Sequence, residues 1–328
     1  MKITKGKTLK EVEPYTQYKG CTFYLEGELN LNHFVGTTFD NCSFRGGETR
    51  INLSNRELTK IPNMVFQISS LVWLNLRSNN ISEIPKEIGR LSSLKNLYLY
   101  GNNISEIPEE IGQLSSLEIL NAQNNNISKI SKKIGQLSSL NTLDLQSNKI
   151  SEIPKEIGQL SSLKNLHLNN NWINKIPKEI EQLYSLRNLY LQSNKISEIP
   201  NKIGQLSSLN TLDLQSNKIS EIPKEIGQLS SLKNLHLGKN QIDEIPKEIG
   251  RLSSLESLHL NNNQISEIPK EIGQLSSLEE LYLCVNNISK IPKEIEQLAP
   301  LNILHLGSNQ IKKIPGWLKR DEFSLDIH

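Results

Sequence analysis

The 328 residues include 37 basic and 35 acidic side chains, a formal net charge of +2. So small an imbalance excludes the long-range field on which binding to nucleic acid or an anionic membrane depends, and the sequence offers no apolar run of about 18 residues to span a bilayer. The basic first residues lack the apolar stretch of a signal peptide. Because Cys21, Cys42 and Cys284 form neither an even set nor a CxxC pair, we predict a reducing, cytoplasmic location.

Residues 1–44 are predicted to form an N-terminal cap. Large side chains recur there at every fifth position, a spacing that resembles the pentapeptide repeat, a square β-helical coil with one large residue at the centre of each side. The resemblance implies a short coil of about one turn that covers the open edge of the first strand. An irregular, aromatic-rich cap is the alternative. The recurring residues are Tyr24, Leu29, Phe34, Phe39 and Phe44.

From Ile68 to Arg320 the chain divides into eleven units of 23 residues without an insertion. A degenerate twelfth unit, about 45–67, precedes them and has Arg56 in place of a recurring asparagine. Self-similarity on this scale is typical of repeat proteins. We therefore predict a repeat domain over 45–320 and a C-terminal cap or tail over 321–328.

The unit 91–113, LSSLKNLYLYGNNISEIPEEIGQ, is representative. Leu97 and Leu99 alternate with polar or aromatic residues, which predicts a short strand with the leucines inward. Ile107-Pro108 opens a segment that we predict to be one helical turn with proline at its first position. One strand and one turn cannot enclose a core, so stacked copies must share one. We predict an α/β solenoid, a curved horseshoe with a parallel β-sheet on its concave face and short helical turns or irregular segments on its convex face.

One asparagine per unit recurs just after the strand. As the chain leaves the strand its backbone polar groups lose their ladder partners, and an asparagine side chain has donors and an acceptor to bridge adjacent loops. A plain polar turn residue would not need the same register in every unit. The predicted structural ladder comprises Asn79, Asn102, Asn125, Asn148, Asn171, Asn194, Asn217, Asn240, Asn263, Asn286 and Asn309.

These positions together give the pattern L-x-x-L-x-L-x-x-N-x-I-x-x-I-P-x-x-I-G-x-L. It resembles the 23-residue leucine-rich repeat of the Ras-group and Roco-like proteins over most of the chain. The resemblance implies a protein-binding scaffold and, by family analogy only, a small GTPase or another signalling protein as partner. The sequence contains no G-x-x-x-x-G-K-[ST] loop of the kind a GTPase domain would need.

The unit 114–136 departs from the pattern twice. Ala122 replaces a core leucine and Ser131 replaces the proline. Because truncating a core leucine to alanine costs roughly 2–5 kcal/mol, we predict that local opening begins in this unit. Residues 133–168 are identical to residues 202–237, which indicates an internal duplication, with consensus design as the alternative.

One outward strand position per unit reads Asn75, Tyr98, Asn121, Asp144, His167, Tyr190, Asp213, His236, His259, Tyr282 and His305. Adjacent members should lie about 4.8 Å apart in a stripe on the concave face, and aromatic and arginine side chains are enriched where proteins bind each other. We predict a binding surface, most strongly from His167 to His305. The candidate contact residues are Trp73, Tyr98, Tyr100, Asp144, His167, Arg187, Tyr190, Asp213, His236, His259, Tyr282 and His305.

Two carboxylate–imidazole pairs suggest a catalytic alternative. Asp144–His167 and Asp213–His236 would sit on adjacent strands, as in a general base with its orienting carboxylate. No serine or cysteine nucleophile completes either pair, an open sheet does little to exclude water, and the two pairs are copies of one another. His236 and His259 alone supply too few ligands for a dedicated zinc site. We predict no catalytic residues, no metal and no cofactor.

The leading hypothesis is therefore a non-enzymatic, monomeric scaffold that binds a protein through its concave sheet, without nucleic-acid or membrane partners. A structural or recognition module of a larger multidomain protein is the second hypothesis. A hydrolase or metal-binding protein built on the Asp–His pairs is the third.

Overall fold

The computed structural model describes the side chains of residues 48–316 and of Leu318; before and after them it describes only the backbone of short strands. The chain forms two compact units, 1–149 and 150–328. Within the described part, no helix combines the length and the apolar character needed to cross a membrane.

The first unit contains eleven described strands, most of three or four residues. They are β1 (Lys7–Thr8), β2 (Gln17–Lys19), β3 (Thr22–Leu25), β4 (Glu28–Asn30), β5 (Thr38–Asp40), β6 (Ser43–Gly46), β7 (Thr49–Asn52), β8 (Leu71–Asn75), β9 (Asn96–Tyr98), β10 (Ile119–Asn121) and β11 (Thr142–Asp144).

The last strands of this unit form one parallel sheet in the order β4-β7-β8-β9-β10-β11. Leu74, Leu97, Leu120 and Leu143 stand opposite one another in successive strands. The register therefore advances by one 23-residue repeat at each step, as stacked copies that share a core require.

The N-terminal strands pair in parallel as well. β1, β3 and β6 form one small sheet and β2 pairs with β5, with Phe23 opposite Phe44 and Tyr18 opposite Phe39. The pentapeptide-like cap depends on where the side chains of residues 24–44 point. They lie outside the residues whose side chains are described, and the cap stays a prediction.

The second unit contains eight described strands, which pair in parallel in chain order. Leu166, Leu189, Leu212 and Leu235 again stand opposite one another. The strands are β12 (Asn165–His167), β13 (Asn188–Tyr190), β14 (Thr211–Asp213), β15 (Asn234–His236), β16 (Ser257–His259), β17 (Glu280–Tyr282), β18 (Ile303–His305) and β19 (Ser324–Asp326).

A five-residue 3-10 helix follows the strand in each repeat up to residue 297. Its proline does not occupy the first helical position, as the sequence suggested, but precedes the helix in extended conformation, with φ −67° and ψ 157° at Pro108. The Pro108 carbonyl accepts the first helical hydrogen bond, from the Ile111 amide at 3.1 Å. The helices are Asn63–Gln67, Lys86–Arg90, Glu109–Gln113 and Lys132–Gln136 in the first unit, and Lys155–Gln159, Lys178–Gln182, Asn201–Gln205, Lys224–Gln228, Lys247–Arg251, Lys270–Gln274 and Lys293–Gln297 in the second.

The core of each unit consists almost wholly of leucine and isoleucine. In the representative repeat Leu97, Leu99 and Ile111 are completely buried, whereas Tyr98 between the two leucines is half-buried. The predicted fold class is confirmed: a leucine-rich-repeat solenoid with a parallel sheet on one side and short helical turns on the other. At the C-terminal end Leu318 is buried.

The irregular unit 114–136 keeps its fold despite both departures. Ala122 is completely buried in the leucine position. Ser131 replaces the proline, and its hydroxyl oxygen accepts a hydrogen bond from the Lys133 amide at 3.2 Å. Because serine is a good helix N-cap, the second departure supplies a contact that proline cannot make, and the truncated leucine remains as the weakness of this unit.

The residue before each ladder asparagine has a positive φ. Glycine, serine, asparagine and lysine fill this position in most repeats, but Val285 fills it in one, with φ +57°. A β-branched side chain is strained in this left-handed region. Val285 is also 46% exposed, so it lacks the burial that would offset the strain.

We predict that Val285→Asn stabilises the protein by about 1 kcal/mol, because asparagine tolerates the left-handed region that valine does not. Chemical denaturation measures the change in the free energy of unfolding. The matched control is Asn262→Val, which introduces valine at the same position one repeat earlier, where φ is also +57°, and which should destabilise by a similar amount. A stabilising Asn262→Val would contradict the strain argument.

Candidate binding surface

The last residue of each strand from β8 to β18 lies on the side of the sheet away from the leucine core. Each is preceded by a completely buried leucine, as with Leu97 before Tyr98 and Leu258 before His259. Because side chains alternate along a strand, within each unit the last residues form a column on the outer face of the sheet, and the first residues form a second column beside it. We call the former the outer column; it contains the residues Asn75 to His305 predicted above.

In the first unit the outer column contains few rings. The Trp73 ring, which belongs to the neighbouring column, lies 5.7 Å from the Tyr98 ring, centroid to centroid, in a tilted arrangement. Asn121 donates a side-chain hydrogen bond to the Asp144 carboxylate at 3.2 Å. Asp144 and Asn75 are buried, and Tyr100, past the end of its strand, is half-buried.

In the second unit the outer column is dominated by rings. His167 and Tyr190 stack with centroids 4.8 Å apart. Past Asp213, four consecutive strands carry rings in contact, with centroid separations of 4.3, 4.3 and 4.9 Å along the series. We call this series the ring ladder; it consists of His236, His259, Tyr282 and His305. All four are half-buried, so each residue keeps part of its surface exposed to solvent.

The predicted pair Asp213–His236 is close but not hydrogen-bonded. His236 Nδ1 lies 3.8 Å from Asp213 Oδ2, beyond the distance at which a carboxylate orients an imidazole. Among the residues whose side chains are described, no group of three histidine, cysteine, aspartate or glutamate side chains is placed to hold a metal ion. The arrangement suits contact with a partner better than proton transfer.

Glu280 and Ser257 lie beside the outer column, although the sequence did not predict them as contact residues. Both are first residues of their strands, and the Ser257 hydroxyl donates to Glu280 Oε2 at 3.0 Å. The same carboxylate oxygen lies 3.8 Å from His259 Nε2, which is buried without a hydrogen-bond partner. The period-two alternation that identified the outer column could have identified this column too.

Burial changes the titration of two ladder residues. It lowers the pKa of His259 below its ordinary value of 6.5, and the neighbouring His236 lowers it further, against the opposing influence of Glu280 and Asp213. Burial also raises the pKa of Tyr282, and the Glu280 carboxylate adds to that effect. His259 is therefore a neutral ring at neutral pH.

We predict that acidification destabilises the second unit through His259. Its folded-state pKa lies below 6.5, so the unfolded chain binds the proton more readily. This contribution to stability is present above pH 6.5 and is lost as the pH falls through the folded-state pKa. Denaturation at about pH 7.5 and about pH 5.5 should show a smaller loss for His259→Asn than for the unchanged protein.

The control for this prediction is His305→Asn, which removes a ladder imidazole but leaves the His236–His259 stack intact. Equal losses of stability in the unchanged protein and in His259→Asn would contradict the assignment to His259.

The ladder asparagines lie behind this surface and hold the turns together. Asn217 Nδ2 donates to the carbonyls of Leu214 and Leu191, each at 3.0 Å, and its Oδ1 accepts from the Ile196 amide at 3.0 Å. One side chain thus bridges two successive repeats. The same set of bonds recurs along each unit, for example at Asn102 and Asn286.

The fold and this surface define a leucine-rich-repeat solenoid with an open, ring-bearing sheet face. The leucine-rich repeat region family matches residues 52–127, 117–189, 174–261 and 224–313. The chain belongs to the leucine-rich repeat family. Proteins with such repeats are commonly interaction scaffolds, and the match indicates no catalytic family.

Solved structures include a leucine-rich-repeat protein of Leptospira interrogans, which is 38% identical, with a TM-score of 0.72 over 86% of this chain and 84% of that one. A TDR receptor is 32% identical, with a TM-score of 0.74 over 79% of this chain and 47% of the receptor. The plant peptide hormone receptor RGFR1, in complex with RGF2, is 28% identical, with a TM-score of 0.67 over 94% of this chain and 53% of the receptor. The chain thus spans about half of each receptor chain. No curated protein sequence matches it.

Proposed function

We propose that this protein is a non-enzymatic scaffold that binds a protein partner through the outer column of its second unit, His167 to His305. The observation that carries this proposal is the ring ladder. Rings on four consecutive strands contact one another at 4.3–4.9 Å on the solvent side of the sheet. Tyrosine and histidine rings offer a large contact area and a polar edge at little entropic cost, which is the chemistry of interface anchors.

The structural relatives support a polypeptide as the ligand. One is a plant peptide hormone receptor in complex with RGF2, so a protein with the same fold can bind a ligand of this kind. The finer parts of the proposal are the Ras-group or Roco-like type of the repeat, a small GTPase or another signalling protein as partner, and a cytoplasmic, monomeric protein. They rest on the repeat pattern and on the cysteine content of the chain.

A second candidate function is a recognition module within a larger multidomain protein. It is favoured by the share of each receptor chain covered, 47% and 53%. A further domain encoded directly after His328 would support it. The two candidates share the same binding surface and differ in what the binding event controls.

The boundaries of the regions belong to this proposal too. We place a pentapeptide-like cap in residues 1–44, the repeats in 45–320 and a cap or tail in 321–328. Deleting residues 1–44 should lower the melting temperature by exposing the edge of the first repeat strand. An unchanged melting temperature would count against a capping role.

The proposal is tested by changing His236, His259 and Tyr282 together to alanine. Once a partner has been isolated by crosslinking, we expect its affinity to fall at least about tenfold, because anchor residues of this kind contribute more than about 1.4 kcal/mol in total. Circular dichroism should show the folded state retained, since the three side chains lie outside the core.

The matched control is Tyr184→Ala, which removes a ring that is 63% exposed and lies outside the outer column. An affinity unchanged in the triple variant, or reduced equally by Tyr184→Ala, would refute binding through the ring ladder.

A further inference from the structure

In the second unit, charged side chains form a row at the ends of the strands where the chain enters the sheet. The residue immediately before each strand forms a row whose backbone groups are directly bonded: the Arg187 amide donates to the Lys164 carbonyl at 2.8 Å, and the Glu279 amide donates to the Glu256 carbonyl at 2.8 Å. The row therefore runs across the strands in register, and the column of first strand residues separates it from the outer column. In chain order it reads Lys164, Arg187, Asn210, Lys233, Glu256, Glu279 and Asn302.

In the middle of this row, a lysine and a glutamate neutralise each other's charge. Lys233 Nζ lies 2.7 Å from Glu256 Oε1, and this hydrogen bond, together with the charge of Glu256, raises the pKa of Lys233. A cation of a partner would have to compete with Lys233 for this carboxylate. The pair thus contributes little net charge to the surface.

The two ends of the row keep their charges. Within the part of the chain whose side chains are described, no carboxylate oxygen lies within 4.0 Å of the charged nitrogens of Lys164 or Arg187. Likewise, no lysine or arginine nitrogen there lies within 4.0 Å of Glu279 or Glu280. One end of the row is therefore basic and the other acidic, and the strands between them carry Asp213 and rings of the outer column.

The separation of the two ends sets the length of a matching ligand. Arg187 precedes β13 and Glu279 precedes β17, which is four strand steps, or about 19 Å at about 4.8 Å per step. An extended chain advances about 3.3 Å per residue, so it covers this separation in about six residues. A segment of that length would pass Tyr190, Asp213 and the first three rings of the ladder, with both ends over charged groups.

We propose that the partner presents an extended segment whose acidic and basic side chains are about six residues apart, the acidic end over Lys164 and Arg187 and the basic end over Glu279 and Glu280. This inference rests on the proposed function and specifies the ligand of that surface. Charge complementarity of this kind selects among partners more than it adds affinity. A segment charged alike at both ends meets repulsion at one of them.

The test uses three fluorescent peptides that share a neutral, tyrosine-containing centre of about five residues. One carries two glutamates at one end and two arginines at the other, the second carries four glutamates, and the third carries four arginines. Fluorescence anisotropy with the full chain at low salt should show the bipolar peptide binding at least fivefold more tightly than either uniform peptide. This preference should shrink as salt rises, because the contacts are exposed.

Charge reversal in the protein makes the test specific. The variant Glu279→Lys with Glu280→Lys makes both ends basic and should come to prefer the four-glutamate peptide. The variant Lys164→Glu with Arg187→Glu should come to prefer the four-arginine peptide. The control, Glu294→Lys with Glu296→Lys in the helix Lys293–Gln297, changes net charge equally and should keep the bipolar preference.

The inference is overturned if no peptide binds at about millimolar concentration, if the unchanged protein does not prefer the bipolar peptide, or if the control variant switches preference as the Glu279/Glu280 variant does. Each of these outcomes differs from a failure of the proposed function. That failure would be seen as unchanged affinity of the isolated partner for the triple alanine variant.

Discussion

Asn286→Ala should lower the free energy of unfolding by about 2–4 kcal/mol. Asn286 is only 7% exposed. Its Nδ2 donates to the carbonyls of Leu260 and Leu283, and its Oδ1 accepts from the Ile265 amide, all at 3.0 Å. Alanine removes these three bonds together with a longer one to the Cys284 carbonyl at 3.4 Å, and chemical denaturation measures the loss.

The backbone groups that lose their hydrogen bond to Asn286 are affected unequally. The Leu260 carbonyl keeps a bond from Asn263 and the Leu283 carbonyl keeps one from Asn309. The Ile265 amide loses its side-chain acceptor altogether, and a buried amide without an acceptor is costly. Hydrogen exchange should therefore show the largest new opening at Ile265.

The adjacent residue provides the control for Asn286→Ala. Asn287 is exposed, and its side chain makes two exposed bonds: it donates to the Gln264 carbonyl at 3.3 Å and accepts from Gln310 Nε2 at 3.4 Å. Asn287→Ala should change the free energy of unfolding by no more than about 0.5 kcal/mol. If the two variants lose the same free energy of unfolding, the hydrogen bonds of the asparagine ladder add no more stability than an exposed polar side chain does.

Leu99→Ala should cost about 2–5 kcal/mol, whereas Ala122→Leu should gain about 0.5–2 kcal/mol. The two positions are equivalent in adjacent repeats, and both are completely buried. Leu99→Ala removes a core leucine side chain from the repeat 91–113, which the repeat 114–136 already lacks at Ala122. Ala122→Leu restores that side chain.

Native-state hydrogen exchange locates this effect. In the unchanged protein we expect the amides of residues 114–136 to exchange before those of the neighbouring repeats, and Ala122→Leu should slow that exchange. Protection of 114–136 equal to that of its neighbours, together with no gain from Ala122→Leu, would contradict this account of the weakest repeat.

The fold was predictable because its information is local and repeated. Leu97 and Leu99 define the inward side of a strand from alternation alone, and eleven repeats of the same pattern leave a single consistent way to stack them. What the pattern could not give is the hydrogen-bonding detail. Ser131 looked like a loss at the level of composition, yet it forms a helix N-cap, and the proline before each of the other helices is extended rather than helical.

The candidate surface was only partly predictable. The outer column follows from the period of the strand, but contacts between columns depend on side-chain conformation, so the approach of Glu280 to His259 at 3.8 Å was missed. The strain at Val285 was also missed, because the type of a residue does not determine its φ angle. The repeat pattern does not identify a partner, because the residues that would contact it occupy the variable positions of the repeat.

Site-specific photocrosslinking tests the central claim most directly. A photoreactive phenylalanine analogue at Tyr282 lies in the ring ladder, and the same analogue at Tyr184 lies on an exposed position outside the outer column. We predict that the isolated partner crosslinks strongly from position 282 and weakly or not at all from position 184. Equal crosslinking from both positions, or crosslinking from 184 alone, would contradict binding through the outer column of the second unit.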